Sequence, residues 1–197
     1  MKTLRNLSLL FLILSVSAAT GFLALDSSRL ALSPGVARAQ DLDSKKIVPF
    51  VPTPQEVVDK MIELAGVKKG DTVYDLGSGD GRIVITAAKK GARAVGFEID
   101  PDLLKESREN IKKAGVQDRA EIRQQDILTV DLSPASVVTM YLLPDVNLKL
   151  KPNVLSQLKP GSRVVSHAFD MGDWKPNKTE QVNGRTVYLW IIPAKGK

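Results

Sequence analysis

Three carboxylates and three glycines carry the chemistry of this 197-residue chain. In Thr72-Val73-Tyr74-Asp75-Leu76-Gly77-Ser78-Gly79-Asp80-Gly81-Arg82, the strand formers Val73, Tyr74 and Leu76 run into glycine at every second position. A helix is expected next, from about Arg82 to Lys90. Glycine lets the backbone turn sharply and approach a ligand with no side chain in the way, and the helix would present its N-terminal N–H groups to that ligand. Asp75, Glu98 and Asp126 fall at or just past the ends of the first, second and third predicted strands. Ligands of an open α/β sheet lie over the carboxyl ends of its strands, so these acids are candidates to accept hydrogen bonds from a donor-bearing ligand. The loop spacing is G-x-G-x-G with an acid two residues ahead, whereas a dinucleotide loop is G-x-G-x-x-G. Each acid has an ordinary alternative. Glu98 stands near where a nicotinamide enzyme keeps its ribose acid, and Asp126 can simply cap a turn.

The elements that position these residues alternate. Ile47 to Pro52 reads as an extended segment, because Pro49 and Pro52 exclude helix. Thr53 is then expected as N-cap, Pro54 at N1 and Glu56 at N3, a capping box ahead of Val57, Val58, Met61, Ile62 and Ala65 at helical spacing, ending near Gly66. Ala92 to Ile99 is predicted as the second strand, Asp102 to Ala114 as a helix begun by Pro101, and Ala120 to Gln124 as the third strand. Ser136 to Leu142, a helix over about 146–158, and Arg163 to Phe169 follow. Asn183-Gly184 between Thr179–Val182 and Thr186–Ile192 predicts a hairpin with a primed turn. The βαβαβ order is that of a parallel sheet with helices on both faces.

The form D-x-G-x-G-x-G resembles motif I of the class I S-adenosylmethionine-dependent methyltransferases. Closer still, Val48-Pro49-Phe50-Val51-Pro52-Thr53-Pro54, Tyr74 to Ile83, Val137 to Leu143 and Val164-Val165-Ser166-His167 resemble the archaeal broad-specificity protein-lysine methyltransferases and the mitochondrial ATP synthase c-subunit lysine methyltransferases, over about 48–192. The resemblance implies an α/β, Rossmann-like class I methyltransferase fold, a mostly parallel seven-stranded sheet with a C-terminal antiparallel hairpin. It implies S-adenosylmethionine as cofactor. Asp75 and the loop Gly77, Ser78, Gly79, Asp80 and Gly81 would hold the methionine part, Glu98 the ribose hydroxyls and Asp126 the adenine amine, all of them donors that a carboxylate accepts. Two family features are missing: Ser136 replaces the acid that usually begins the fourth strand, and Met140 to Asp145 lacks the Asn-Pro-Pro-Tyr signature of amide and base methylation. A small-molecule methyltransferase and a non-catalytic cofactor-binding module are the alternatives, with a nicotinamide oxidoreductase last.

A lysine acceptor must be neutral to attack a sulfonium methyl. Its reference pKa of about 10.4 leaves roughly 3.4 units at pH 7, about 4.6 kcal/mol. Desolvation in a narrow apolar channel and in-line positioning offset part of this. Phe50 and Tyr141 are the candidates to wall that channel, with core packing the alternative for both and the more ordinary one for Phe50. His167, the single histidine, is expected in a hydrogen-bonded structural role beside Ser166, with general base toward a hydroxyl substrate as the alternative. Trp174 either covers substrate or anchors its loop.

Absence of cysteine removes disulfides, zinc–thiolate sites and cysteine nucleophiles, and no metal is expected. Lys2, Arg5, Arg29 and Arg38 against Asp26 carry half of the formal net charge of +6, so the rest is too slight to argue for nucleic acid. Lys2 and Arg5 precede an apolar run over 7–25, and Ala37-Arg38-Ala39 reads as a cleavage site. Residues 1–39 are therefore expected to be an export signal or membrane anchor, 40–52 a linker and extended segment, and 53–197 one methyltransferase domain. The basic residues before the run place that domain across the membrane. A monomer is expected, touching membrane only through the N-terminal segment, with a lysine-bearing protein or a small molecule as partner.

Overall fold

A computed structural model describes residues 50–194. The elements in chain order are α1 (Gln55–Leu64), β1 (Thr72–Leu76), α2 (Arg82–Lys89), β2 (Arg93–Glu98), α3 (Pro101–Lys113) and β3 (Ala120–Gln124). After a 3-10 turn at Ile127–Thr129 come β4 (Val137–Met140), α4 (Pro144–Gln157), β5 (Arg163–His167), β6 (Lys178–Val182) and β7 (Arg185–Ile191). The seven strands form one sheet in the order β3-β2-β1-β4-β5-β7-β6. β1 to β5 pair in parallel, and β7 pairs antiparallel with β5 and with β6. This is the predicted architecture: β2, β4 and β5 end one or two residues short of prediction, β3 matches it, and β6 and β7 each begin one residue earlier. Asn183 and Gly184 both have positive φ, as the primed turn requires.

Alternation along the central strands splits the core into two layers. Val73, Val137 and Val165 pack with α1, α2 and α3 on one face. Tyr74, Leu76, Val138, Met140, Val164 and Trp190 pack with Val146, Leu150 and Val154 of α4 on the other. Because β1 lies between β2 and β4, the chain reverses direction across the sheet there, and the carboxyl ends of β1, β2 and β3 open a crevice on one side of that point.

The expected capping box at Thr53 does not form. α1 begins at Gln55 with Pro54 as N-cap and no side-chain cap. The Thr53 hydroxyl meets His167 Nδ1 at 3.2 Å instead, in the interior, and its carbonyl accepts from Arg82 Nη1 at 2.7 Å. A buried hydrogen bond is costly to leave unmade, whereas an exposed N–H finds water, so the buried partner wins the hydroxyl. Among the described residues no helix is long and apolar enough to cross a membrane. The apolar run over 7–25 and the cleavage site expected after it lie outside the described residues.

Candidate active site

The glycine loop is held from below. The N–H groups of Gly77 and Ser78 both donate to the Phe97 carbonyl at 3.0 Å, and that of Gly79 donates to Glu98 Oε2 at 2.8 Å. All three glycines have positive φ, at 75°, 52° and 83° for Gly77, Gly79 and Gly81. A Cβ at Gly79 would lie 2.4 Å from the Phe50 ring, and one at Gly77 would lie 2.8 Å from Leu142. Of the loop N–H groups, those of Gly77, Ser78 and Gly79 are spent on β2 and that of Gly81 on the Ser78 carbonyl, while at the start of α2 the Arg82 N–H donates to Asp80 Oδ1 at 3.3 Å. The face turned to the cleft carries carboxylates, which a pyrophosphate would meet unfavourably and a cationic or hydroxyl-bearing ligand favourably.

One cleft is lined by Asp75, the loop, Glu98, Asp126, Phe50 and Tyr141. Asp75 is 1% exposed, accepts from the Thr139 hydroxyl at 2.7 Å through Oδ1, and has no partner at Oδ2. Burial pushes its pKa up to about 7, against the Thr139 bond and with help from the charges of Glu98 and Asp80. Glu98 accepts from the Gly79 N–H through one oxygen and from Ile99 and Asp100 N–H at 2.8 and 3.0 Å through the other. Three of its four acceptor positions are thus filled. Asp126 does cap a turn, accepting from Leu128 N–H at 3.0 Å, and still faces the cleft. Asp80 is tied to Arg82, whose Nε lies 2.9 and 3.1 Å from its two oxygens. Its backbone carbonyl accepts from Asn110. Asp80 therefore shapes the loop more than it presents a free carboxylate.

Phe50 is 41% exposed and lies over Gly79, so it belongs to the cleft wall and not to the core. Arg82 joins the extended segment to the loop: its guanidinium grips Asp80 on one side and the Thr53 carbonyl on the other. Tyr141, just past β4, faces the same cleft, with its ring centroid 4.0 Å from that of His167. His167 is structural, as expected, though its partner is Thr53 and not Ser166. Desolvation, then the Arg185 charge, lowers its pKa to about 4, so it is neutral and a poor proton acceptor near pH 7. Trp174 anchors its loop, accepting from Trp190 Nε1 at 2.7 Å through its carbonyl.

Two contributors escape a local reading. Gly96 in β2 has ordinary φ, yet a Cβ there would stand 2.5 Å from both Ser78 Oγ and Ile122 Cδ1, so glycine at 96 makes room for the loop. Thr139 orients Asp75 from the neighbouring strand. Only sheet register, not spacing along the chain, would have paired them. Ser136 lies at the opposite end of the sheet, where its hydroxyl donates to Asp71 at 2.7 Å.

Residues 75–178 match the family model of the ANTKMT methyltransferase domain. The chain is 50% identical over 151 residues to a protein-lysine N-methyltransferase of Saccharolobus islandicus (strain REY15A), covering 74% of this chain and 94% of that one. It is 35% identical to the ATP synthase c-subunit lysine N-methyltransferase of Homo sapiens over 74% of this chain, and spans 62% of that protein's length. A crystal structure from Salinibacter ruber, described as an RNA methyltransferase in complex with S-adenosyl-L-homocysteine, matches with a TM-score of 0.72 and 58% identity over 75% of this chain and 97% of that one.

Proposed function

The chain belongs to the family of the ANTKMT methyltransferase domain and is an S-adenosylmethionine-dependent methyltransferase; from that premise we propose how its residues divide between cofactor and acceptor, and that the acceptors are lysine amines of proteins. The observation that carries the reading is one cleft with three carboxylates over β1 to β3 and two aromatic side chains over the loop and past β4. The cofactor fits this donor set. Its ammonium would meet the unpartnered Oδ2 of Asp75, a ribose hydroxyl the open acceptor position of Glu98, and the adenine amine Asp126. When bound it would supply an electrophilic methyl on sulfonium sulfur, with a neutral thioether as its leaving group.

The chain's own part is to bring the amine there neutral and in line. Phe50 and Tyr141 wall an apolar approach that disfavours the ammonium form, and the amine gives its proton to water. The sealed, weakly basic His167 takes no part in that transfer. Positioning is the main contribution, and effective molarities of roughly 10⁵ M or more make it sufficient without a side-chain base.

Asp75 yields a linkage prediction. Its pKa in the folded protein is raised above the unfolded value, so the apoprotein loses stability as pH rises from about 4 through about 7. Pairing with an α-amino group of pKa about 7.7–8.0 requires the ionised carboxylate. Binding near pH 6 should therefore release a proton, and affinity should rise toward pH 7. Calorimetry at pH 6 in two buffers of different ionisation enthalpy measures this release; zero net exchange would take Asp75 out of the ammonium site.

We further propose that the domain is exported and held or released by residues 1–39, as a monomer that meets membrane only through that segment. The order of Lys2, Arg5 and the apolar run supports this. A reporter active only outside the cytosol, fused after Lys197, should be active. Activity of a cytosol-restricted reporter at the same place would reverse the orientation.

Methyl-labelled cofactor incubated with the full chain and a mixture of protein, RNA and small amines tests the acceptor class. Label is expected in the protein fraction. Label confined to RNA or to small amines would replace the lysine reading.

A further inference from the structure

Among the described residues two that are not glycine have positive φ: Asn183, in the hairpin turn, and Ala168, with φ of 66°. Ala168 follows β5 directly. The Phe169 N–H donates to the His167 carbonyl at 2.9 Å, across one residue. A hydrogen bond from i+2 to i around a central residue of positive φ is the strained form of the γ-turn, rare for a residue with a Cβ. The turn is held from both sides. The Ala168 N–H donates to the Thr186 carbonyl at 2.8 Å. From α4, the fully buried Asn147 donates through Nδ2 to the carbonyls of Phe169 and Asp170, each at 3.2 Å, and to Ser166 Oγ at 3.3 Å. Its own Oδ1 is left without a partner in the interior. Strain that the surroundings hold in place marks a position where the chain needs one particular direction.

That direction sets the Phe169 ring beside Tyr141. The two centroids are 6.4 Å apart and the planes within 16° of parallel, and the His167 ring packs on Tyr141 with centroids 4.0 Å apart. The cofactor carboxylates occupy the ends of β1, β2 and β3, so the acceptor must approach from the side of β4 and β5, where Tyr141 and Phe169 stand. Phe169 is half-buried and lies outside the lining of the cofactor cleft, so beside Tyr141 it stays partly open to an apolar guest.

We propose that Phe169, aimed by the γ-turn at Ala168, is a specificity-determining residue for the acceptor. With Tyr141 it forms an aromatic wall that binds the four-carbon apolar stem of a lysine and so aims its nitrogen at the cleft. This rests on the lysine reading given above. A thin polar acceptor would gain little from two rings, whereas a long apolar stem packs against both.

The test is steady-state kinetics of the full chain with a synthetic single-lysine peptide, alongside cofactor affinity by calorimetry. Phe169→Ala should raise the peptide KM about fivefold with cofactor Kd unchanged. Phe169→Tyr, which keeps the ring, should restore the KM, and Phe169→Leu, which keeps bulk alone, should not. Ala168→Gly keeps the ring and removes the strain. It should leave the melting temperature no lower and still raise KM, because the turn no longer fixes the aim. An active wild type whose peptide KM is unmoved by Phe169→Ala and Ala168→Gly overturns the inference alone. Restoration by leucine as well as tyrosine overturns the aromatic wall. A wild type that leaves peptide and protein lysines unmethylated overturns the lysine reading itself, and the inference with it.

Discussion

Deleting residues 40–52 should leave a folded domain that binds cofactor but transfers methyl at least tenfold more slowly, about 1.4 kcal/mol in the barrier. Folding should survive because Phe50 and Val51 are exposed, and because the core of α1 begins at Val57. Thr53 remains, with its bonds to His167 and Arg82. Transfer should fall because the deletion removes the ring over Gly79, together with Val51 and Pro52, from the cleft wall. Water then reaches the acceptor amine, and the ammonium form is no longer disfavoured. Single-turnover rates of the full and trimmed proteins, with thermal melts as folding control, make the comparison. Equal rates would reduce the segment to a tether and leave positioning to groups past β4, Tyr141 among them.

Glu98→Ala should weaken cofactor binding by about 1–3 kcal/mol, the cost of stranding buried hydrogen-bonding groups, or roughly 5- to 150-fold in Kd. Two losses combine. The ribose loses an acceptor, and the N–H groups of Gly79, Ile99 and Asp100 lose theirs, so the loop and the turn before α3 both loosen. Calorimetry on a variant that melts normally separates binding from folding. Unchanged affinity would remove Glu98 from the site.

The fold was legible because its signals are local. Apolar runs with Pro101, Gly66 and Asn183-Gly184 as punctuation are enough to place the strands, helices and hairpin along the chain, while the seven-stranded sheet was what the family resemblance implied. The three acids were legible for the same reason, since strand ends in a parallel sheet face one side. What stayed hidden depends on contacts between distant residues. Thr53 looked like a cap because only its neighbours were visible, while its partner His167 is 114 residues away. Gly96 looked like an ordinary strand residue until Ser78 was folded against it. Phe50 suited the core by type, yet packing placed it over the loop. Ala168 carries no sequence mark of its γ-turn, because alanine there is held by Asn147 and Thr186 and not by its own preference.

The destination of the methyl group decides whether lysine is the acceptor. Full-length protein, S-adenosylmethionine and a set of lysine-bearing proteins, followed by intact-mass analysis and tandem fragmentation, locate it directly. The expected result is increments of about 14 Da that fragment to lysine side-chain nitrogen and fall in Glu98→Ala at limiting cofactor. Increments on other atoms, or none in a protein that binds the cofactor, would contradict it.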